Sequence, residues 1–191
     1  MVVSNKLKES GMRIHIFGAS GPGTTTLGAA LAEALGCSHF DSDDYFWVPS
    51  DPPYVTQREI GERRRLLGSD IEGVESWVIS GSMRKWGQFT VPLFNLAVFL
   101  YVPNPVRMER LKARETRRYG AEIEDSNHPQ FKAQKAFFEW AAAYDTAGLE
   151  MRSLASHEAW MKKLPCPLLR IEGEMSVEEN LKCVLERIRA L

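Results

Sequence analysis

The stretch that decides the fold runs Arg13-Ile14-His15-Ile16-Phe17, then Gly18-Ala19-Ser20-Gly21-Pro22-Gly23-Thr24-Thr25-Thr26. Its first half reads as a short strand with Ile14 and Ile16 on one face. Its second half is a Walker A loop without its lysine. The pattern requires Gly, four residues, Gly, Lys, then Ser or Thr. Gly18 and Gly23 hold the glycine positions, Thr25 holds the hydroxyl position, and Thr24 stands where the lysine belongs. Leu27, Leu31 and Leu35 then recur every four residues, with Ala30 and Ala34 beside them, as in an amphipathic helix. Strand, glycine loop and helix are the context that phosphate binding needs. Glycines let backbone N–H groups curl around phosphate oxygens, and the helix N-terminus adds a favourable dipole. A bare glycine turn between strand and helix is the plainer reading. The missing lysine means that positive charge at the β- and γ-phosphates comes from elsewhere or is absent.

Working outward, strand and helix candidates alternate. Ser38 to Phe40 is a second strand, followed by a proline-marked loop (Pro49, Pro52, Pro53) and a charged helix near Gln57 to Leu67. Trp77 to Ser80 is a third strand and Leu96 to Val102 a strongly apolar fourth. Asn104-Pro105 predicts a helix start with Asn as N-cap and Pro at the first helical position. Phe131 to Tyr144 and Arg152 to Leu164 are further helices, and Leu168 to Ile171 a fifth strand. Ser176 with Glu179 forms a capping box for a last helix that buries Val177, Leu181, Val184, Leu185 and Ile188. Such alternation implies an α/β protein with a parallel sheet covered on both faces. Ligands in these folds sit beyond the C-terminal strand ends.

Composition bounds the rest. The chain has 191 residues and a formal net charge of −1, so no global field points to nucleic acid or to a membrane surface. Cys37, Cys166 and Cys183 are scattered and lack metal spacing, which suggests reduced thiols in a cytoplasmic protein. No apolar run reaches membrane-spanning length. One domain over 1–191 is expected, with a flexible leader over 1–11.

Three clusters fall at strand ends. Asp41, Asp43 and Asp44 follow the second strand. Asp41 can support Mg²⁺ together with Thr25, and Asp43 can accept a proton from an acceptor hydroxyl. A helix N-cap or solvated loop is the structural alternative. Tyr45, Phe46 and Trp47 can wall an acceptor pocket or simply pack. Arg84 and Lys85 follow the third strand; Lys85 is a candidate for the charge Thr24 lacks, and Arg84 for an acceptor phosphate. Two solvated basic residues would look the same. Arg107, Arg110, Arg114 and Arg118 share one helix face after the fourth strand. Arg110 and Arg114 suit the stabilisation of a transferring phosphoryl group, with a solvated face balanced by Glu109 and Glu115 as the alternative. A polar stretch from Tyr119 to Pro129 suggests a mobile lid, and Arg152 can return a charge from its far side. His128 and His157 are isolated and read as structural.

These residues in this order resemble the small P-loop kinases, adenylate kinase and shikimate kinase among them. The phrases Asp43-Asp44-Tyr45-Phe46-Trp47, Trp77-Val78-Ile79-Ser80-Gly81-Ser82 and Arg117-Arg118-Tyr119-Gly120 are similar to bacterial adenylate kinase-like P-loop proteins labelled AAA or topology-modulation-like. The resemblance implies five parallel strands in the order 2-3-1-4-5, ATP with Mg²⁺ as donor, and a lid. It implies an acceptor-binding insertion over about 45–72 and a lid over about 115–150. Nucleotide-binding residues are then Gly18, Ser20, Gly21, Pro22, Gly23, Thr24, Thr25, Thr26 and Arg152. Asp43, Arg84, Lys85, Arg110 and Arg114 are catalytic, and Thr25 and Asp41 serve the metal. Two departures stand beside Thr24: Ser80-Gly81-Ser82-Met83-Arg84 keeps the arginine but loses the acid of nucleoside monophosphate kinases, and Trp47 lies near an acceptor arginine of adenylate kinases. The expected activity is ATP-dependent phosphotransfer to a nucleotide or another small hydroxylated metabolite. The rivals are a nucleotide-binding regulator without phosphotransfer and a slow nucleoside triphosphatase.

Overall fold

The structure is a computed structural model that describes residues 11–191. The expected leader, Gly11 apart, lies outside the described residues. Five strands form one parallel sheet: β1 (Arg13–Gly18), β2 (Ser38–Asp41), β3 (Trp77–Ser80), β4 (Leu96–Tyr101) and β5 (Leu168–Glu172). Their order is β2-β3-β1-β4-β5, as the resemblance implied. The central β1 pairs with β3 and β4 at once, Ile14 standing opposite Val78 and Leu96.

The strand period of two sorts side chains onto the two faces. Ile14 and Ile16 join Val78, Leu96, Val98 and Leu100 on one face, beneath α1 (Thr24–Leu35) and α7 (Val177–Arg189). The opposite face divides in two. Phe17, Ala97 and Phe99 pack with Met161 of α6 (Leu154–Met161). Trp77 and Ile79 pack with Leu67 and Ile71 of α3 (Ile60–Ile71), Trp86 and Phe94. Each fully buried Leu, Ile or Phe contributes roughly 1.5–3 kcal/mol relative to exposure. With both faces covered, the strands read as the apolar runs that distinguish a buried parallel sheet.

Several expectations shift by a residue or more, each for a local reason. On α1, Gly28 and Ala32 are buried beside Leu27 and Leu31, whereas Ala34 is exposed. At about 100° per residue the stripe centres between Leu31 and Leu35, which swings Ala34 to its edge. The helix expected from Gln57 begins at Ile60, because Gln57 bridges Trp47 in an antiparallel pair and Arg58 N–H donates to the Phe46 carbonyl at 2.8 Å. In α4 (Asn104–Tyr119) the N-cap is Pro103, and Asn104 does not cap. Its Nδ2 donates instead to the Ala142 carbonyl at 2.8 Å, at the end of α5 (Phe131–Ala142). The helix expected from Arg152 begins at Leu154, where Ser153 and Ser156 form a capping box. The box of Ser176 and Glu179 opens α7 as expected. Among the described residues no helix is long and apolar enough to cross a membrane. The three cysteines are unpaired and half-buried.

Candidate active site

A cavity of about 890 Å³ opens beyond the C-terminal ends of β1, β2 and β3. Its floor is the loop between β1 and α1. Gly21 at φ 88° and Gly23 at φ 96° occupy left-handed backbone that favours glycine. A Cβ on Gly21 would also stand 2.9 Å from the Arg107 carbonyl oxygen. Gly23 is the N-cap of α1 and no side chain caps that end, so its first-turn N–H groups remain open to an anion. Ala19, Ser20, Gly21, Thr24 and Thr25 line the cavity. Gly18, Pro22, Gly23 and Thr26 do not: Gly18 ends β1, Pro22 is buried, Gly23 holds the turn, and Thr26 is exposed on α1.

Two arginines grip Ser20. Arg107 is fully buried, and its Nη1 reaches the Ser20 carbonyl at 3.5 Å. Its Nη2 pairs with Asp145 at 2.6 Å, and its Nε donates to the Val102 carbonyl at 2.9 Å. Arg107 therefore ties the loop to β4 and to the turn after α5. Arg152 Nη2 donates to Ser20 Oγ, and its guanidinium lies 4.6 Å from the Trp140 ring centroid.

Both aspartates chosen from the sequence reach the cavity. Asp41 ends β2, and its Oδ1 accepts the Asp43 N–H at 2.9 Å, capping the short α2 (Ser42–Phe46). The capping alternative and the cavity position are thus both realised. Asp43 is exposed and lines the cavity. Burial there raises its pKa above the ordinary carboxylate value, the neighbouring Asp41 adds to the rise, and Arg152 and Arg114 oppose it.

Arg84 and Lys85 line the cavity from the loop after β3. Arg84 Nη2 donates to the Leu149 carbonyl at 2.7 Å. Lys85 sits at φ 68°, a left-handed position that costs a non-glycine residue about 1–2 kcal/mol.

The arginine face of α4 splits. Arg114 and Arg118 line the cavity and share the buried carboxylate of Glu115, at 2.7 and 3.2 Å. Arg107 is the clamp already described. Arg110 is not brought to the cavity: it pairs with Glu174 at 3.3 Å. The spacing places Arg110 about 60° from the line of Arg107, Arg114 and Arg118, which turns it toward the segment after β5.

Sequence reasoning passed over several lining residues. Arg63 of α3 is buried, 3.8 Å from the Phe46 ring centroid. Tyr54, Phe137 and Trp140 supply aromatic wall, with Arg118 4.6 Å from the Tyr54 ring and Arg114 5.7 Å from the Phe137 ring. The three-residue step from Phe137 to Trp140 on one helix face was the available signal. His157 Nδ1 bonds the buried Tyr144 hydroxyl at 2.7 Å, and His128 Nδ1 accepts the Gln130 N–H at 3.1 Å.

Residues 14–130 match the family described as the AAA domain, a span that takes in the loop, the acidic cluster and all of α4. The chain belongs to this AAA-domain family. The uncharacterised protein YqaC of Bacillus subtilis (strain 168) is 46% identical to this AAA-domain chain over 173 residues, 91% of this chain and 95% of that protein. Among solved structures, a shikimate kinase from Acinetobacter baumannii in complex with shikimate superposes with a TM-score of 0.58 at 15% identity, covering 98% of each chain. A gluconokinase from Sinorhizobium meliloti 1021 superposes with a TM-score of 0.52 at 18% identity, covering 95% of this chain and 93% of the other. The fold is therefore that of the P-loop kinases.

Proposed function

We propose that the protein is an ATP-dependent phosphotransferase acting on a nucleotide or another small hydroxylated metabolite. One observation carries this reading: two carboxylates, Asp41 and Asp43, face the same cavity as the phosphate loop and the cations Arg84, Lys85, Arg114, Arg118 and Arg152. A loop that only binds nucleotide needs no carboxylate pair opposite it. A cavity of about 890 Å³ lies in the range that holds a small ligand or cofactor with room for a second reactant.

Backbone N–H groups of Ser20, Gly21 and Thr24 hold the triphosphate, with α1 directing its positive end at it. Asp43 accepts the proton of the acceptor hydroxyl. The hydroxyl oxygen forms a bond to the γ-phosphorus, the bond from that phosphorus to the β–γ bridging oxygen breaks, and ADP leaves. A raised pKa makes Asp43 a stronger base than an ordinary aspartate. Arg114 and Arg118 offset charge on the transferring group, as do Arg84 and Lys85 from the loop after β3. Arg110 has no part in this scheme as the side chains stand.

The donors fit Mg²⁺. Thr25 and Asp41 offer hard oxygens in one cavity, and no cluster of three His, Cys, Asp or Glu side chains able to hold a metal occurs among the described residues. Thr25 and Asp41 would hold such an ion jointly with the phosphates, as Mg²⁺ prefers. It would neutralise phosphate charge. The segment over 45–72 supplies Trp47, Tyr54 and Arg63 for acceptor binding, and the segment over 115–150 supplies Phe137 and Trp140 as a lid.

The second reading is a nucleotide-binding regulator, favoured by Thr24 in the lysine position. Following ADP release from Mg²⁺–ATP across a panel of nucleoside monophosphates and small hydroxylated metabolites separates the two. Release stimulated by one acceptor class is expected. Nucleotide binding without stimulated release by any acceptor would establish the regulator.

A further inference from the structure

We infer that Arg152 takes the place of the Walker A cation, supplying from the chain after α5 the phosphate charge that Thr24 cannot. The inference rests on the reading of the loop as a triphosphate cradle.

The loop carries no cation at position 24, where Thr24 is the first residue of α1. A replacement must reach the loop itself, carry a permanent charge, and keep donor capacity free for a ligand. Arg152 meets all three conditions. Its Nη2 already donates to Ser20 Oγ within the loop. Its side chain lines the cavity, and its Nε is buried without a hydrogen-bond partner among the described residues. A buried, unpaired guanidinium N–H is costly unless a ligand completes it, and phosphate oxygens are the natural complement to that fork.

The position is built, not incidental. Ser153 caps α6, its hydroxyl receiving the Ser156 N–H at 3.0 Å, and the Ser153 hydroxyl also donates to the Gly148 carbonyl. These bonds set the backbone one residue from Arg152. Trp140 of α5 supports the guanidinium plane. Arginine suits this enclosed position better than lysine, because it stays charged when desolvated, whereas a lysine there would lose its proton more readily. Lys85, the candidate raised by the sequence, lines the same cavity from the loop after β3. Arg152 differs in being bonded to the phosphate loop itself.

The proposed cation also sits on a different element. A Walker lysine is carried by the first turn of the helix that it serves. Arg152 comes from the chain after α5, just beyond the proposed lid segment, and its bond to Ser20 joins that end of the segment to the loop.

The test is calorimetric titration of a non-hydrolysable ATP analogue and of AMP, both with Mg²⁺, against four proteins: wild type, Arg152→Gln, Thr24→Lys and the double variant. Arg152→Gln is expected to weaken the ATP analogue about 10- to 100-fold, the effect of losing a charged hydrogen-bond partner, and AMP much less. Thr24→Lys in the Arg152→Gln background is expected to recover most of that loss. Recovery also shows that the Arg152→Gln chain is folded. Wild-type affinity in Arg152→Gln would overturn the inference and leave the phosphotransferase reading standing. A loss equal for the ATP analogue and AMP, or one that Thr24→Lys does not repair, would overturn it as well. If the wild-type chain bound neither nucleotide, the reading of the loop would fall and the inference with it.

Discussion

At the scale of single residues, Asp43 and Arg107, Arg110, Arg114 and Arg118 of α4 separate chemistry from scaffolding. Asp43→Asn is expected to lower acceptor-dependent turnover about 10²- to 10⁴-fold, the usual worth of a general base, while calorimetry shows unchanged nucleotide affinity. As the proposed base, Asp43 would act in its ionised form. Because burial and Asp41 raise its pKa, the rate should fall as pH drops toward a value above the ordinary 3.8. Arg114 holds that pKa down, so Arg114→Gln should move the acidic limb of the pH–rate profile upward. An unmoved limb would show that Asp43 is not the titrating base. Arg107 and Arg110, alike in sequence, should behave differently. Arg107→Ala leaves Asp145 without its cation and removes one of the two arginines that hold Ser20, for an expected loss of about 3 kcal/mol, the lower end for breaking a buried pair. Arg110→Ala removes a pair between exposed side chains, which is worth at most about 1 kcal/mol. Urea denaturation of the two variants distinguishes these cases.

At the scale of elements, α6 matters through its first turn. Ser153 is fully buried and caps the helix that follows Arg152. Ser153→Ala should cost about 1 kcal/mol in stability and should also weaken binding of the ATP analogue, because Arg152 loses its fixed approach to Ser20. A stability loss with unchanged nucleotide affinity would show that the cap does not position the arginine. The helix starts show how far local signals reach. The boxes at Ser176 and Ser153 are local, made within four residues, and the first was legible from the sequence. Asn104 carried an equally good capping signal, yet its side chain went to Ala142, a partner 38 residues away. The start of α3 moved because Gln57 found a strand partner in Trp47. Propensity and capping rank local options, and a tertiary partner overrides them when it satisfies the same polar group.

At the scale of the whole molecule, buried histidines couple folding to pH. His15 lies on the central strand under Phe17 and Phe94, its Nε2 donating to the Gly81 carbonyl at 2.9 Å. Burial lowers its pKa from 6.5 to about 4. His157 is lowered to about 3 by burial and by Arg152. Both are neutral in the folded chain at pH values where the unfolded chain protonates them. The stability they confer is full above pH 6.5 and is lost as pH falls from 6.5 toward those lowered values, by up to about 1.4 kcal/mol per pH unit for each. Thermal melts between pH 7 and 5 should show this slope, and His15→Phe should shallow it. An unchanged slope in that variant would remove His15 from the account. Nucleotide binding acts on the same global equilibrium. At about one hundred times Kd, a ligand of the folded state adds about 2.7 kcal/mol, which for a chain of this length should raise Tm by several degrees.

The sequence by itself determined the architecture and the floor of the site. Strand, glycine loop and helix are contiguous and nearly local, so 3.6-residue and two-residue periodicities, glycine positions and the spacing to Thr25 suffice to read them. The order of the sheet came with the family that those motifs resemble. The placement of Asp41 and Asp43 followed because strand ends define one edge of a parallel sheet. What only the tertiary structure decided is where long charged side chains go. Helical spacing grouped Arg107, Arg114 and Arg118 and set Arg110 to one side, and Glu115 on the same helix is a local partner for Arg114 and Arg118, but the partners of Arg107 and Arg110 came from distant chain, Asp145 and Glu174. Arg152 meets Ser20 across 132 residues of chain. An arginine's reach spans several alternatives, and the winner is set by which carboxylate, carbonyl or hydroxyl the fold brings within about 3 Å, something that no local pattern encodes.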